Sequence, residues 1–321
     1  MPLTFDFSLE ELHTYTGTNP VPDDFNAFWD NALQELTACD PQITFKDAAF
    51  TSTIARCRHL SFSGVGGARI HTKLIQPHKS THGSALLCFH GYTMDSGDWM
   101  SYLPYAAAGF TVAAMDCRGQ GGLSTDPLSV TGTTLHGHII RGLSDAVAGY
   151  PERLYYRNVF LDTVLLSRII MDMPDVDTER VMATGWSQGG GLTIACAALE
   201  PRISRIAPVY PYLCDYQRSW EMDLAEHAYS GLRKYFRHHD PLHEQKVFEA
   251  LGYIDVQYLA GRVRAQTLFA TALMDTICAP STQFACYNKI HSSKNMLVYP
   301  DYGHESLPGL HDRIYEFFTK C

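Results

Sequence analysis

Apolar positions fall into two rhythms along the chain. Phe25, Phe28, Trp29, Ala32, Leu33 and Leu36 recur every three or four places, the spacing of one helix face. Asp23 and Asp24 stand before this run as candidate caps, and Pro41 closes it. Residues 1–20 show no such rhythm and read as an irregular arm. From 43 to 75, short apolar stretches flank Gly64-Val65-Gly66-Gly67, which predicts short strands joined by a hairpin turn. These glycines lack the full Gly-x-Gly-x-x-Gly spacing and a following helix, so the turn is not read as a nucleotide loop.

From residue 85 onward, compact apolar runs alternate with helical ones. The runs predict strands at Ala85–Phe89, Thr111–Met115, 180–184, 204–210, 267–273 and 296–299. Helices are expected at 157–173 and Gln188–Leu199, and near 280–290 and 309–319. Repeated β-then-α units imply an α/β class, a mostly parallel sheet with helices on both faces. Residues 126–156 form a long, Gly-containing connection of the kind that is often functional or interface-forming. Residues 214–262 read as a helical insertion. No repeat, low-complexity segment or linker interrupts the chain, so 1–321 is taken as one domain.

Composition narrows the function. The chain has 321 residues, 45% hydrophobic and 18% charged, ordinary for a globular protein. Its net charge of −9 disfavours nucleic acid or an acidic membrane as the main partner. No run of 18 apolar residues predicts a membrane span. The N-terminus, with its early acid and no apolar core, does not read as a signal peptide. Nine cysteines without a Cys-x-x-Cys pair suggest reduced thiols and a cytoplasmic setting.

The chemistry is concentrated at strand ends. Gly185-Trp186-Ser187-Gln188-Gly189 fits Gly-x-Ser-x-Gly between a predicted strand and helix, where a strained turn exposes a serine nucleophile. The alternative is a tight connection with an ordinary serine. A hydroxyl needs a base. In the α/β-hydrolase fold the order is Ser, then acid, then His. Asp275 and His304 each follow a predicted strand, where open α/β sheets place their sites. Asp255 and Asp301 are rival acids; Asp301 and Glu305 suit local structural roles better. The oxyanion needs two donors. The backbone N–H of Gln188 is one candidate. That of Tyr92, in His90-Gly91-Tyr92, is the other. The Tyr92 side chain and Pro211 are candidate walls of a small acyl pocket. Fifteen histidines include His136-Gly137-His138 and His238-His239 with His243, but no ligand spacing joins them; surface or loop roles are expected, and no metal or cofactor. Arg118-Gly119-Gln120-Gly121 reads as a turn with a structural arginine rather than a phosphate loop.

Several segments together resemble carbohydrate esterase family 7, the acetyl xylan esterases and cephalosporin C deacetylases. They are His90-Gly91-Tyr92, Arg118-Gly119-Gln120-Gly121-Gly122, Tyr155-Tyr156-Arg157, Gly185-Trp186-Ser187-Gln188-Gly189-Gly190, Asp275-Thr276-Ile277-Cys278 with Pro280-Ser281-Thr282, and His304-Glu305. The helix with Phe-x-x-Phe-Trp is also similar. The resemblance implies deacetylation of small acetylated sugars and cephalosporin-type esters. It also implies a homohexamer with sites facing an internal chamber and a long loop, near 126–156, at the interface. The chain departs from the family's pattern at Trp186, at Ala279 and in the loop after Tyr92; the triad is kept through all three. A general carboxylesterase or peptidase of the same fold, and a non-catalytic binding protein on it, are the alternatives.

Overall fold

The structure, a computed structural model, describes residues 5–79, 83–131, 137–224, 227–239 and 243–320. Its sheet contains β1 (Thr44–Asp47), β2 (Ala55–Ser63), β3 (Arg69–Pro77), β4 (Ala85–Phe89), β5 (Thr111–Met115), β6 (Val181–Trp186), β7 (Arg205–Val209), β8 (Gln266–Ala272) and β9 (Lys294–Tyr299). The spatial order is β1-β2-β3-β5-β4-β6-β7-β8-β9. The contacts β1–β2, β2–β3 and β3–β5 are antiparallel; every later one is parallel. From β4 the chain moves to β5 on one side, then crosses to β6 on the other. That reversal opens a crevice at the carboxyl ends of β4 and β6, where ligands bind in such sheets.

Helices fill the connections. Before the sheet come α1 (Leu9–Thr14) and α2 (Phe25–Thr37), and α3 (Leu103–Ala107) joins β4 to β5. Between β5 and β6 lie α4 (Leu143–Val147) and α5 (Tyr155–Met171), and α6 (Gln188–Leu199) follows β6. The insertion between β7 and β8 holds α7 (Tyr216–Glu221), α8 (Ser230–His238), α9 (Glu244–Gly252) and α10 (Val256–Leu259). Then α11 (Pro280–Lys289) precedes β9 and α12 (Leu310–Thr319) follows it. Strand alternation divides the core. Leu87, Phe89, Ala113 and Met115 face α2, α5 and α6 in the larger cluster. Leu86 and Val112 face the other way, toward Ala106 of α3 and Leu310, Ile314 and Phe318 of α12.

Several expectations need correction. The arm is not wholly irregular: Ser8 and Glu11 form a reciprocal capping box that starts α1, and buried Leu12 packs with Leu273 and Phe284. Asp24 occupies the N-cap of α2 but makes no cap bond; its carboxylate accepts the Tyr253 hydroxyl at 2.6 Å instead. That helix ends at Thr37, four residues before Pro41. β2 and β3 are nine residues each, not short, paired along their whole length. The stretch 126–156 is not a bare loop, since it contains α4 and the start of α5; residues 132–136 lie outside the described residues. α5 has no solvent face: Arg168 alone in it is not fully buried.

Burying α5 on all sides leaves its Asp162 needing a partner. Arg118 supplies it. The guanidinium meets the carboxylate through Nε at 2.7 Å and a terminal nitrogen at 2.6 Å, and its other terminal nitrogen donates to the Val65 carbonyl at 3.0 Å. This is the structural arginine the Arg-Gly-Gln-Gly run suggested. Removing one member of such a pair strands a buried charge. Asp162→Ala should therefore lower unfolding free energy by about 3–5 kcal/mol, and the paired change Arg118→Met with Asp162→Leu should cost less. Urea unfolding of both variants checks this; equal losses would mean the charge is not what is stranded.

Candidate active site

β6 ends at Trp186, and the chain turns straight into α6. Ser187, at the turn, has φ 58° and ψ −116°, a conformation ordinary L-residues avoid. The surrounding backbone holds it there. Ser187 N–H donates to the Val209 carbonyl at 3.0 Å, and its own carbonyl accepts from Tyr212 N–H at 3.0 Å. The glycines are needed for space. A Cβ on Gly185 would come 2.4 Å from the Gly189 backbone, and one on Gly189 would come 2.0 Å from the Phe89 carbonyl oxygen. The serine is nearly buried but lies at the crevice.

Asp275 lies three residues past β8 and is fully buried. One carboxylate oxygen accepts the backbone N–H groups of Ile277 at 2.9 Å and Cys278 at 2.8 Å. The other meets His304 Nδ1 at 2.8 Å. Because an ionised carboxylate only accepts, Nδ1 must carry the hydrogen, and Nε2 of the neutral ring keeps its lone pair. The Cys278 thiol lies near the Ser187 side chain. One ligand atom each of Asp275, Cys278 and His304 lies within 4.8 Å of the others. Burial, then the nearby Asp275 charge, holds that thiol well above its usual range and therefore neutral.

Gln188 begins α6, so its N–H has no carbonyl partner within the helix. Its buried side chain forms a reciprocal amide pair with Gln120. Gln120 Nε2 donates to Gln188 Oε1 at 2.8 Å, and Gln188 Nε2 donates to Gln120 Oε1 at 3.1 Å. The same Gln120 oxygen accepts Thr93 N–H at 2.9 Å, one residue past Tyr92. Gln120 thus ties the loop after β4 to the start of α6. Tyr156 completes the set by donating to Gln188 Oε1 at 2.8 Å.

The remaining expected residues are accounted for. The Tyr92 hydroxyl accepts His138 N–H at 3.1 Å, and the Tyr92 ring meets Tyr212 edge-on. Pro211 is buried with its Cα 3.1 Å from where a Gly190 Cβ would stand. His138 is a half-buried loop residue, as expected: its ring packs against Tyr92 and Tyr155, and burial lowers its pKa. His239 stacks on Tyr235, and His136 lies outside the described residues. The rival Asp255 is bonded to Gln257 and to Asp215 N–H, and no hydrogen bond joins it to His304. Burial, then the Asp215 charge, pushes Asp255 up to about 7. Asp301 is an exposed turn residue, and Glu305 accepts Gly303 N–H locally. Sequence reading missed the roles of Gln120 and Cys278, though both stand in the quoted motifs, and that of Tyr210, whose ring lies 4.5 Å from that of His304.

A sheet that reverses direction at β4, a serine turn after β6, an acid after β8 and a histidine after β9 define an α/β-hydrolase. The chain belongs to the acetyl xylan esterase family, whose model matches residues 1–321. It is 51% identical to acetyl xylan esterase 1 from Thermoanaerobacterium sp. JW/SL YS485, over 98% of this chain and 99% of that one, with a TM-score of 0.95. The acetyl xylan esterase from Paenibacillus sp. R4 is 32% identical over 98% and 99% of the two chains, with a TM-score of 0.91. Acetyl esterase Axe7A from Xylanibacter ruminicola is 26% identical over 300 residues, 92% of this chain. The chain spans 65% of the length of that curated relative.

The glycine contacts make a direct prediction. Gly189→Ala should destabilise the fold by about 1–3 kcal/mol through overpacking and shift Gln188 N–H. Gly261→Ala, whose Cβ would make only an ordinary contact with the Lys289 carbonyl at 3.9 Å, should stay within about 0.5 kcal/mol of the parent. Thermal melts of the two proteins compare them; a Gly189→Ala melt matching the parent would refute the steric reading.

Proposed function

We propose that this chain is a serine esterase that removes acetyl groups from small acetylated sugars of the xylan type. The observation that carries the reading is the 2.8 Å His304–Asp275 contact, together with a serine held at φ 58° in the turn after β6. In this reading His304 Nε2 takes the Ser187 proton as the oxygen attacks the acetyl carbonyl. The buried Asp275 carboxylate favours the imidazolium that forms. The oxyanion is met by the N–H groups of Gln188 and Tyr92, which the Gln120 side chain keeps in register. Collapse releases the sugar hydroxyl, protonated by His304, and leaves an acetyl-serine. Water, deprotonated by the same imidazole, then frees acetate. No step needs a metal ion.

Finer points belong to the same proposal. Cephalosporin-type esters as substrates, and a closed oligomer such as a hexamer, are supported by the resemblance of the motifs. A cytoplasmic setting is supported by the cysteines of the described residues, which stand as free thiols. Among the described residues, no helix is long and apolar enough to cross a membrane.

Ser187→Ala should fold normally and lose on the order of 10⁶ in kcat on an acetylated xylo-oligosaccharide. A purified variant keeping a tenth of the parent kcat would show that another group is the nucleophile.

Acyl length supplies a second test. Tyr92 is fixed at its hydroxyl by His138, and Pro211 is fixed by its ring and by contact with Gly190. Walls that cannot retreat should reject longer acyl groups, with overpacking costing about 1–3 kcal/mol, roughly a five- to more than hundredfold loss in kcat/KM. Hydrolysis of p-nitrophenyl acetate should exceed that of the hexanoate by such a factor, and Tyr92→Ala should narrow the gap. Equal rates on both esters would rule out a small pocket.

A further inference from the structure

Asp275 fixes one nitrogen of His304, but a single hydrogen bond leaves an imidazole free to rock about it. A second restraint comes from the end of β7. Tyr210 follows that strand with φ 29°, a left-handed value unusual for a bulky residue, and its N–H still pairs with Ala270 of β8 at 2.8 Å. The Tyr210 ring lies 4.5 Å from the His304 ring with 44° between the planes. Its hydroxyl donates to the carbonyl of Glu305, the next residue, at 3.1 Å. On its other side Trp186 meets the Tyr210 ring edge-on at 5.7 Å and itself stacks on His311 at 4.9 Å. Tyr210 is therefore wedged between the residue before the nucleophile and the base.

We propose that Tyr210 is a positioning residue for His304, its ring setting the tilt of the imidazole and its hydroxyl anchoring the loop that carries it. This rests on the esterase reading, in which His304 must aim Nε2 at Ser187. The groups facing His304 are the Asp275 carboxylate, the Cys278 thiol and the Tyr210 ring, with Glu305 adjacent in the chain. An aromatic face also favours a cation beside it. Tyr210 thus eases formation of the imidazolium as well as aiming the ring. The Trp186 contact explains what a large residue does inside the Gly-x-Ser-x-Gly turn of this chain: it backs Tyr210.

The test is a pair of variants assayed on p-nitrophenyl acetate across pH. Tyr210→Leu removes ring and hydroxyl. Its kcat should fall about ten- to hundredfold, with KM changed less than threefold. The midpoint of its kcat/KM profile should move to lower pH by about half a unit, because a base that has lost a cation-favouring neighbour gives up its proton more easily. Tyr210→Phe keeps the ring, so its midpoint should match the parent, while kcat falls about three- to tenfold from loss of the Glu305 anchor. A folded Tyr210→Leu with parental kcat and midpoint would overturn the proposal. If Tyr210→Leu does not fold, Tyr210→Phe decides alone, and a parental kcat would refute the anchor. Ser187→Ala, assayed beside them, separates failure of this inference from failure of the esterase reading, since only the latter leaves Ser187→Ala active.

Discussion

The first turn of α6 sits closer to the sheet than any residue with a Cβ would allow. At Gly189 a Cβ would meet the Phe89 carbonyl at 2.0 Å, at Gly190 the Val209 carbonyl at 2.7 Å, and at Gly191 the Tyr212 carbonyl at 2.3 Å. Three successive glycines thus lie against the ends of β4 and β7 and the turn beyond β7. The approach has two consequences. It forces the preceding residue, Ser187, out of the usual conformations, so that its side chain projects into the crevice. It also brings the positive end of α6, with its unpaired N–H groups, to the place where negative charge develops on an ester carbonyl. The loop after β4 carries the second proposed donor and starts at Phe89. One contact therefore fixes both the nucleophile and the spacing of the donors around it.

That geometry explains what could be read from sequence. The strands of the parallel half stand out because both faces of β4 to β8 are covered, so each is a dense apolar run. Ser187, Asp275 and His304 are legible because each follows such a run, and chain order then assigns their parts. What escaped reading depends on distant partners. Asp24 looks like a helix cap, but its acceptor is used by Tyr253, 229 residues away. Gln120 and Gln188 pair across 68 residues, and Tyr210 reaches Glu305 across 95. No local spacing announces such pairs. α1 escaped for the opposite reason: its signal is wholly local, a capping box around one buried leucine, too short to establish a rhythm.

The same buried polar groups explain why the site is stiff. A buried amide that lacks partners is costly, but one that is fully paired resists motion. Gln188 uses its side-chain oxygen for Tyr156 and Gln120, and its nitrogen for Gln120. Turning either amide would break several bonds at once, and the Gln188 side chain is fully buried. In the proposed mechanism such stiffness would let the Gln188 and Tyr92 donors meet the oxyanion without reorganising, which is how such holes lower a barrier.

The acid is fixed in a similar way from the opposite side of the crevice. Asp275 accepts two N–H groups from the segment leading into α11 on one oxygen and His304 on the other. These bonds prevent the buried carboxylate from turning away from the histidine. The imidazole inherits its orientation from an acid whose own orientation comes from backbone. Cys278 belongs to both halves, since its N–H holds Asp275 while its thiol lies near the Ser187 side chain. A single buried residue thus holds the acid and lies near the serine, which stands 88 positions before that acid in the sequence. The restraint on the base is incomplete until a ring lies against it, and the strained turn after β7 places Tyr210 where that ring is needed.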